Sequence, residues 1–217
     1  MRYQILEETA SNVLRLLNDK GRNIVRGRSL HSPRAVGDAV QAFLGEEGGL
    51  KSCIPSNQIK LFESDFERRS MEDMAFLDIK GQYYAVDCKT HNMSTTFNMP
   101  NLISVRRIAN FYKNDSNTFC ILIVEYNVEK DHILYKNCHF KPIEAFSWEC
   151  LTIGALGWGQ IQIANANNLI FNKTISRKNW MIQLCNLLDE FYDEEIEKIG
   201  ERKQWFNDIK DYWNNKL

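Results

Sequence analysis

The sequence EDMAFLDIKGQYYAVDCKT, from Glu72 to Thr90, predicts the centre of the fold. Two runs rich in β-branched and aromatic residues, Met74 to Lys80 and Tyr83 to Thr90, flank the dipeptide Gly81-Gln82. This pattern is typical of a tight β-hairpin. We therefore expect the hairpin to supply two neighbouring strands of a central sheet.

Three charged residues of the hairpin are predicted to lie close together at its open end. Side chains alternate between the two faces of a strand, so Asp87 and Lys89 point one way. Val86 and Cys88 point the other way, into the core. Because a hairpin returns the start of its first strand to the end of its second, we expect Asp73 to lie beside Asp87.

Two other acids precede Asp87, and the predicted register separates them from Asp73. Asp78 lies three residues before Gly81 and is therefore expected near the turn, too far from Asp87 to share an ion with it. Glu72 faces the opposite way if the strand already extends there.

This arrangement suggests metal-assisted phosphodiester hydrolysis. Two adjacent carboxylates repel each other unless a cation neutralises them, and Mg²⁺ is commonly held by one or two carboxylates together with substrate phosphate. Asp73 and Asp87 are the predicted metal ligands, and Lys89 is the predicted catalytic amine that orients a water and offsets transition-state charge. The alternative is a chance grouping of surface charges, since so short a motif recurs in unrelated chains.

Length and composition narrow the class of protein. The 217 residues, of which 44% are apolar, are predicted to form one domain, 1–217. The net charge of −1 offers no general attraction to nucleic acid or membrane. No apolar segment predicts a signal peptide or a transmembrane helix, and six cysteines without a CxxC pair indicate reduced thiols in an intracellular protein.

A local basic segment, KGRNIVRGRSLHSPR from Lys20 to Arg34, is the predicted contact with DNA phosphates. It contains no acid, and its glycines would let both the backbone and the guanidinium groups approach a phosphate chain. A solvated surface face is the competing interpretation. The candidate DNA-binding cations are Lys20, Arg22, Arg26 and Arg28.

Hydrophobic periodicity predicts helices and strands around the hairpin. The helices are expected at 3–18, 34–44, 101–113 and 176–217, the last with a break near Gly200. The strands are expected at 58–62, 118–125, 133–140 and 160–163. The glycine-rich LTIGALGWGQIQI from Leu151 to Ile163 is not a dinucleotide loop, because a strand follows it rather than a helix.

Longer stretches carry a family resemblance. The run VDCKTHNMSTTFNMPNLISVRRIA from Val86 to Ala109, the GQIQI from Gly159 to Ile163, and Arg177 with Trp180 occur in this order along the chain. Together they resemble the active strand, recognition loop and late helix of HincII-like type II restriction endonucleases, which belong to the PD-(D/E)XK nuclease superfamily.

The resemblance implies a fold, an activity and partners. It implies an α/β fold of the restriction-endonuclease (EcoRV-like) type, with a mixed β-sheet core flanked by helices. It further implies a homodimer in the bacterial cytoplasm that makes Mg²⁺-dependent double-strand cuts in DNA, leaving 5′-phosphate and 3′-hydroxyl ends. A cognate DNA methyltransferase encoded nearby would be a functional partner. Two-fold symmetry predicts a short palindromic target.

The loops after Thr90 and around Gly154 are the predicted readers of DNA sequence. Asn and Gln suit this role because they pair with adenine edges through two hydrogen bonds. The candidate DNA-binding residues of these loops are Thr90, Asn92, Asn98, Asn101, Gly154, Gln160 and Gln162.

Two alternatives stay open. A repair or nicking nuclease of the same superfamily would act as a monomer and tolerate many sequences. A DNA-binding protein without catalytic activity would keep the fold but lack Mg²⁺-dependent cleavage, and the presence of all three predicted catalytic residues argues against it.

Overall fold

The structure is a computed structural model that describes residues 2–67, 70–95, 99–172 and 174–216. Contacts between residues divide the chain into two compact units, Met1–Lys173 and Thr174–Leu217. The expectation of a single domain stays a prediction, and each unit is described by itself.

The first unit begins with helices where the periodicity predicts them. Ser32 caps the second helix, because its hydroxyl accepts a hydrogen bond from the Ala35 amide, and Pro33 occupies the first turn. A short helix, not expected from sequence, interrupts the loop that follows. The helices are α1 (Arg2–Lys20), α2 (Pro33–Gly45) and α3 (Leu50–Cys53), with a 3₁₀ turn at Gly27–His31.

Five strands then form a mixed sheet, and the predicted hairpin supplies two of them. In chain order the elements are β1 (Ile59–Glu63), β2 (Met74–Asp78), β3 (Tyr83–Asn92), β4 (Asn101–Ser104), α4 (Val105–Phe111), β5 (Asn117–Glu129) and β6 (His132–Pro142). The sheet order is β1-β2-β3-β5-β6, with β3 and β5 parallel and the other pairs antiparallel. A mixed α/β fold is confirmed.

One face of this sheet forms the main core with the N-terminal helices. Even-numbered residues of β3, such as Tyr84 and Val86, pack there with Leu6 of α1 and Val40 of α2. The odd-numbered residues point to the opposite face, where Phe111 of α4 contacts Tyr83 and Phe119. The alternation predicted for β3 therefore holds, and Asp87 and Lys89 lie on the second face.

The predicted helix at 101–113 is wrong in its first turn. Residues 101–104 form β4, which pairs with β8 (Gln160–Ile163), and β8 pairs in turn with β7 (Leu151–Gly154). Pairing with a distant strand buries Leu102 and Ile103 and overrides the local helical pattern. Ser104 then caps α4 by accepting a hydrogen bond from the Arg107 amide.

The second unit is one helix, α5 (Arg177–Asn214), whose N-cap is Ser176. The predicted break near Gly200 is wrong, because the helix continues through it. A single glycine in a helix costs only about 1 kcal/mol relative to alanine, and strong helix formers flank it on both sides. Among the described residues, no helix has the length and apolar character needed to cross a membrane.

Candidate active site

The hairpin register brings the predicted carboxylates together. Met74 pairs with Val86, and the Asp73 amide donates to the Val86 carbonyl at 2.9 Å, so Asp73 lies beside Asp87 at the open end of the hairpin. Asp78 lies at the turn, as expected, where its Oδ1 accepts hydrogen bonds from the Lys80 and Gln82 amides.

Two elements hold the Asp73 side chain in place. Its Oδ2 accepts a hydrogen bond from the Cys88 amide at 2.7 Å, and its Oδ1 accepts one from Gln41 Nε2 at 2.8 Å. The first donor comes from β3 and the second from α2. Asp38, also on α2, forms an exposed ion pair with Arg34 instead. Because both Asp73 oxygens have donors, the carboxylate has a fixed orientation.

Asp87 is buried, and the described residues provide a partner for only one of its two carboxylate oxygens. Its Oδ1 lies 2.6 Å from Lys89 Nζ, whereas its Oδ2 is buried and has no hydrogen-bond partner among the described residues. A buried carboxylate oxygen without a hydrogen-bond donor costs free energy, so a cation or a donor bound there would stabilise the site.

The pKa values of Asp73, Asp87 and Lys89 are all shifted by burial and by their neighbours' charges. Burial, reinforced by the nearby Asp73 charge and opposed by Lys89, raises the pKa of Asp87 from 3.8 to about 7. Burial also raises the pKa of Asp73, although the Cys88 amide and Lys89 oppose the shift. For Lys89, burial lowers the pKa, but attraction to Asp87 outweighs it, so the net pKa is raised and the amine stays protonated.

The two carboxylates open into a cleft of about 640 Å³. Its walls include Arg106 and Arg107 from α4 and the loop between β7 and β8. In that loop the Trp158 ring lies under the Arg106 guanidinium, 4.9 Å from ring centroid to Cζ. The cleft therefore places two cations and an exposed aromatic ring close to the half-buried Asp73 and the buried Asp87.

The donor set fits a hard divalent cation. Within the described residues no group of three or more His, Cys, Asp and Glu side chains could hold a metal, so a bound ion would rely on Asp73 and Asp87. Two carboxylates match the habit of Mg²⁺, which keeps several waters and completes its shell with substrate phosphate. Asp87 Oδ2, to which no described residue donates a hydrogen bond, is the atom that favours such an ion.

Several predicted DNA-binding residues meet on the small sheet. Gln160 lines the cleft, and Gln162 Nε2 donates to Asn101 Oδ1 at 2.5 Å. A Cβ at Gly154 would lie 2.6 Å from Gln162 Oε1, so a larger residue there would displace the end of the Gln162 side chain. The two strands therefore present a row of amide groups next to the acid pair.

The segment after β3 is only partly described. Thr90 lies close to α2, because a Cβ at Gly37 would approach its Oγ1 to 3.2 Å. Asn92 shapes the next turn, where its Oδ1 accepts a hydrogen bond from the Ser94 amide at 3.0 Å. Asn98 lies outside the described residues.

The structure does not bring the basic segment into the cleft. Lys20, Arg22, Arg26 and Arg28 are exposed, and within the described ranges none of them forms an ion pair or lines the cleft. Their predicted role in binding DNA phosphates stays a prediction.

Sequence reasoning missed Gln41, Arg106, Arg107 and Trp158 as functional candidates. The adjacent arginines carried a usable signal, since they begin a helix that follows the proposed active strand. Gln41 carried no such sequence signal, because its contact with Asp73 depends on how α2 packs against β3.

No protein-family model and no curated protein matches this chain.

Proposed function

We propose that the chain is a Mg²⁺-dependent endonuclease that hydrolyses phosphodiester bonds in double-stranded DNA. The observation that carries this proposal is the half-buried Asp73 beside the buried Asp87, with Lys89 in contact with Asp87 and one Asp87 oxygen without a hydrogen-bond partner among the described residues. Stability alone does not account for such a pair, because burial penalises both carboxylates and leaves an acceptor unsatisfied.

The chain's own residues divide the work. Asp73 and Asp87 would hold the ion, and Gln41 and the Cys88 amide would fix the Asp73 carboxylate in its orientation. When bound, Mg²⁺ supplies a Lewis acid for the scissile phosphate and an acidified water. Fixed ligands matter because a site that is loose by about 1 Å loses much of its rate.

Lys89 acts as a donor in this proposal. Its ammonium is held by Asp87 and stays protonated, so it can orient a water and stabilise negative charge on the phosphate as the bond breaks. Arg106 and Arg107 in the same cleft supply further positive charge for the DNA backbone.

The more specific proposal rests on the segment from Val86 to Ala109, which resembles HincII-like restriction endonucleases. We propose an EcoRV-like core and a type II restriction endonuclease that works as a homodimer, one subunit for each DNA strand. It would cut a short palindromic sequence, leave 5′-phosphate and 3′-hydroxyl ends, and act in the bacterial cytoplasm beside a cognate methyltransferase. The amides of Asn101, Gln160 and Gln162 would contact bases, and Thr90, Asn92 and Gly154 would shape the surrounding surface.

The test is plasmid cleavage by wild type and Lys89→Ala. We expect discrete fragments from wild type in Mg²⁺, and cleavage slower by at least about a hundredfold from the variant, the scale of one transition-state group. Specific DNA binding in Ca²⁺ should survive in the variant. Cleavage by Lys89→Ala near the wild-type rate would place the active site elsewhere.

The same digest separates the alternatives. Nicked circles or a smear would indicate a repair or nicking nuclease. Intact plasmid with retained specific binding would indicate a DNA-binding protein without activity.

A further inference from the structure

Helix α5 carries a stripe of apolar side chains that are exposed in the protomer. Ile196 is 67% exposed and Phe206 is 63% exposed, although both are large and apolar. The apolar members of the stripe recur at two positions of a seven-residue repeat: Ile182, Cys185, Tyr192, Ile196, Ile199, Phe206 and Trp213.

A seven-residue repeat is the pattern by which one helix packs along another. The stripe from Ile182 to Trp213 is about 47 Å long at the usual helical rise. So long an apolar seam exceeds what scattered surface side chains explain and indicates a contact surface.

Three charged residues interrupt the stripe and determine which partner helix it fits. Asp189, Lys203 and Lys210 occupy the remaining positions of the repeat. Within the part of the chain that the structure describes, none of the three forms an ion pair. In a parallel pair of α5 helices, each of these charges would face its own copy, and like charges at a seam are destabilising.

An antiparallel pair removes this conflict. If Ile196 of one helix packs against Ile199 of the second copy, Asp189 falls opposite Phe206, one turn from both Lys203 and Lys210. The same alignment sets Glu195 beside Arg202 at the edge of the seam.

The wider charge pattern agrees with this alignment. Residues 189–197 contain six acids and no Lys or Arg, whereas residues 198–210 contain four cations and two acids. An antiparallel pair lays the acidic segment of each helix along the more basic segment of the other. Complementary charge of this kind sets orientation and partner choice in helical pairs.

We propose that the exposed stripe of α5 binds the α5 helix of a second copy of this chain in antiparallel orientation. The proposal does not rest on the nuclease function, because self-association is measured without DNA or metal.

Sedimentation of the full chain tests the surface. We expect wild type to form a dimer of the 25.4 kDa chain, and Ile199→Glu with Phe206→Glu to sediment as a monomer of unchanged helical content. Both residues are exposed, so the substitutions leave the protomer's interior untouched. Gln204→Glu, which lies off the stripe, is the control and should remain dimeric. A monomeric wild type at high micromolar concentration, or a dimer that survives the double substitution, overturns the proposal.

Disulfide trapping tests the orientation. The alignment sets Cys185, an exposed thiol, opposite residue 210 of the second copy. Lys210→Cys should therefore give a covalent dimer on oxidation, and adding Cys185→Ser should abolish it. Within one helix these positions are about 37 Å apart, so a bond between them joins two chains. Gln204→Cys is the control. A covalent dimer through Cys185 alone, in the native chain, would mean parallel helices and overturn the antiparallel arrangement.

Discussion

At the scale of single residues, Asp87 combines two demands that conflict. It is buried against a second carboxylate, which makes its charge costly, yet the proposed function needs that charge. Folding raises the pKa of Asp87 from 3.8 to about 7. Metal-free protein therefore binds a proton at Asp87 that the unfolded chain releases, and stability falls as the pH rises through this window.

We expect this cost to appear as a pH slope in the unfolding free energy. Without metal, the contribution of Asp87 declines by at most about 1.4 kcal/mol per pH unit as the pH rises from the ordinary carboxyl range toward 7. Asp87→Asn should flatten the slope of unfolding free energy against pH, measured by denaturant titration in EDTA. Asp38→Asn, which alters an exposed carboxylate, is the control. Equal slopes in wild type and Asp87→Asn would contradict the assignment.

Gln41 is predicted to position Asp73 without touching the substrate. Gln41→Ala removes the donor to Asp73 Oδ1, so we expect about a tenfold loss of cleavage that higher Mg²⁺ partly restores, as for other residues that orient metal ligands. Asp38→Ala, one turn away on α2, should cleave at the wild-type rate. If Asp38→Ala loses cleavage instead and Gln41→Ala does not, the carboxylate of Asp38 rather than the amide of Gln41 supports the metal site from α2.

At the scale of elements, local sequence patterns predicted the hairpin correctly. They failed where contacts between residues distant in the sequence determine the secondary structure. The β2–β3 register follows from the Gly81-Gln82 turn and the alternation around Asp87, so the acid pair could be placed from sequence. The start of α4 could not, because β4 exists only through pairing with β8. Gln41 was invisible for the same reason, since its partner lies 32 residues away in the sequence.

Replacing glycine by alanine is expected to have opposite effects at two positions, because the backbone conformation differs between them. Gly200 lies within α5 and Gly27 has a φ of +60°, and a Cβ would meet nothing within 4 Å at either position. Gly200→Ala should therefore stabilise the helix by about 1 kcal/mol, the usual difference in helix propensity. Gly27→Ala should destabilise the first unit, because alanine disfavours a positive φ. Hydrogen exchange measured in α5 and α2 separates the two effects. A loss of protection in α5 of Gly200→Ala would show that the helix needs its glycine.

At the scale of the whole molecule, a net charge of −1 offers DNA no general attraction, so the proposed DNA binding would depend on local clusters of cations. Two candidate clusters are Arg106 with Arg107 in the cleft, and the basic segment from Lys20 to Arg34. The cleft cations lie beside the acid pair, whereas the basic segment is exposed elsewhere on the first unit. Both would release counterions if DNA phosphates bound to them.

The salt dependence of DNA affinity separates the two clusters. In Ca²⁺, Arg106→Ala with Arg107→Ala should lower the slope of log affinity against log salt by about two, because each arginine that binds a phosphate adds about one to the slope. Arg26→Ala with Arg28→Ala should lower it by the same amount for all DNA sequences alike. Lys136→Ala is the control, because Lys136 already pairs with Glu129 at 3.3 Å and offers less free charge. An unchanged slope for the Arg26 and Arg28 variant would make the basic segment a solvated surface and leave the cleft cations as the groups that bind DNA.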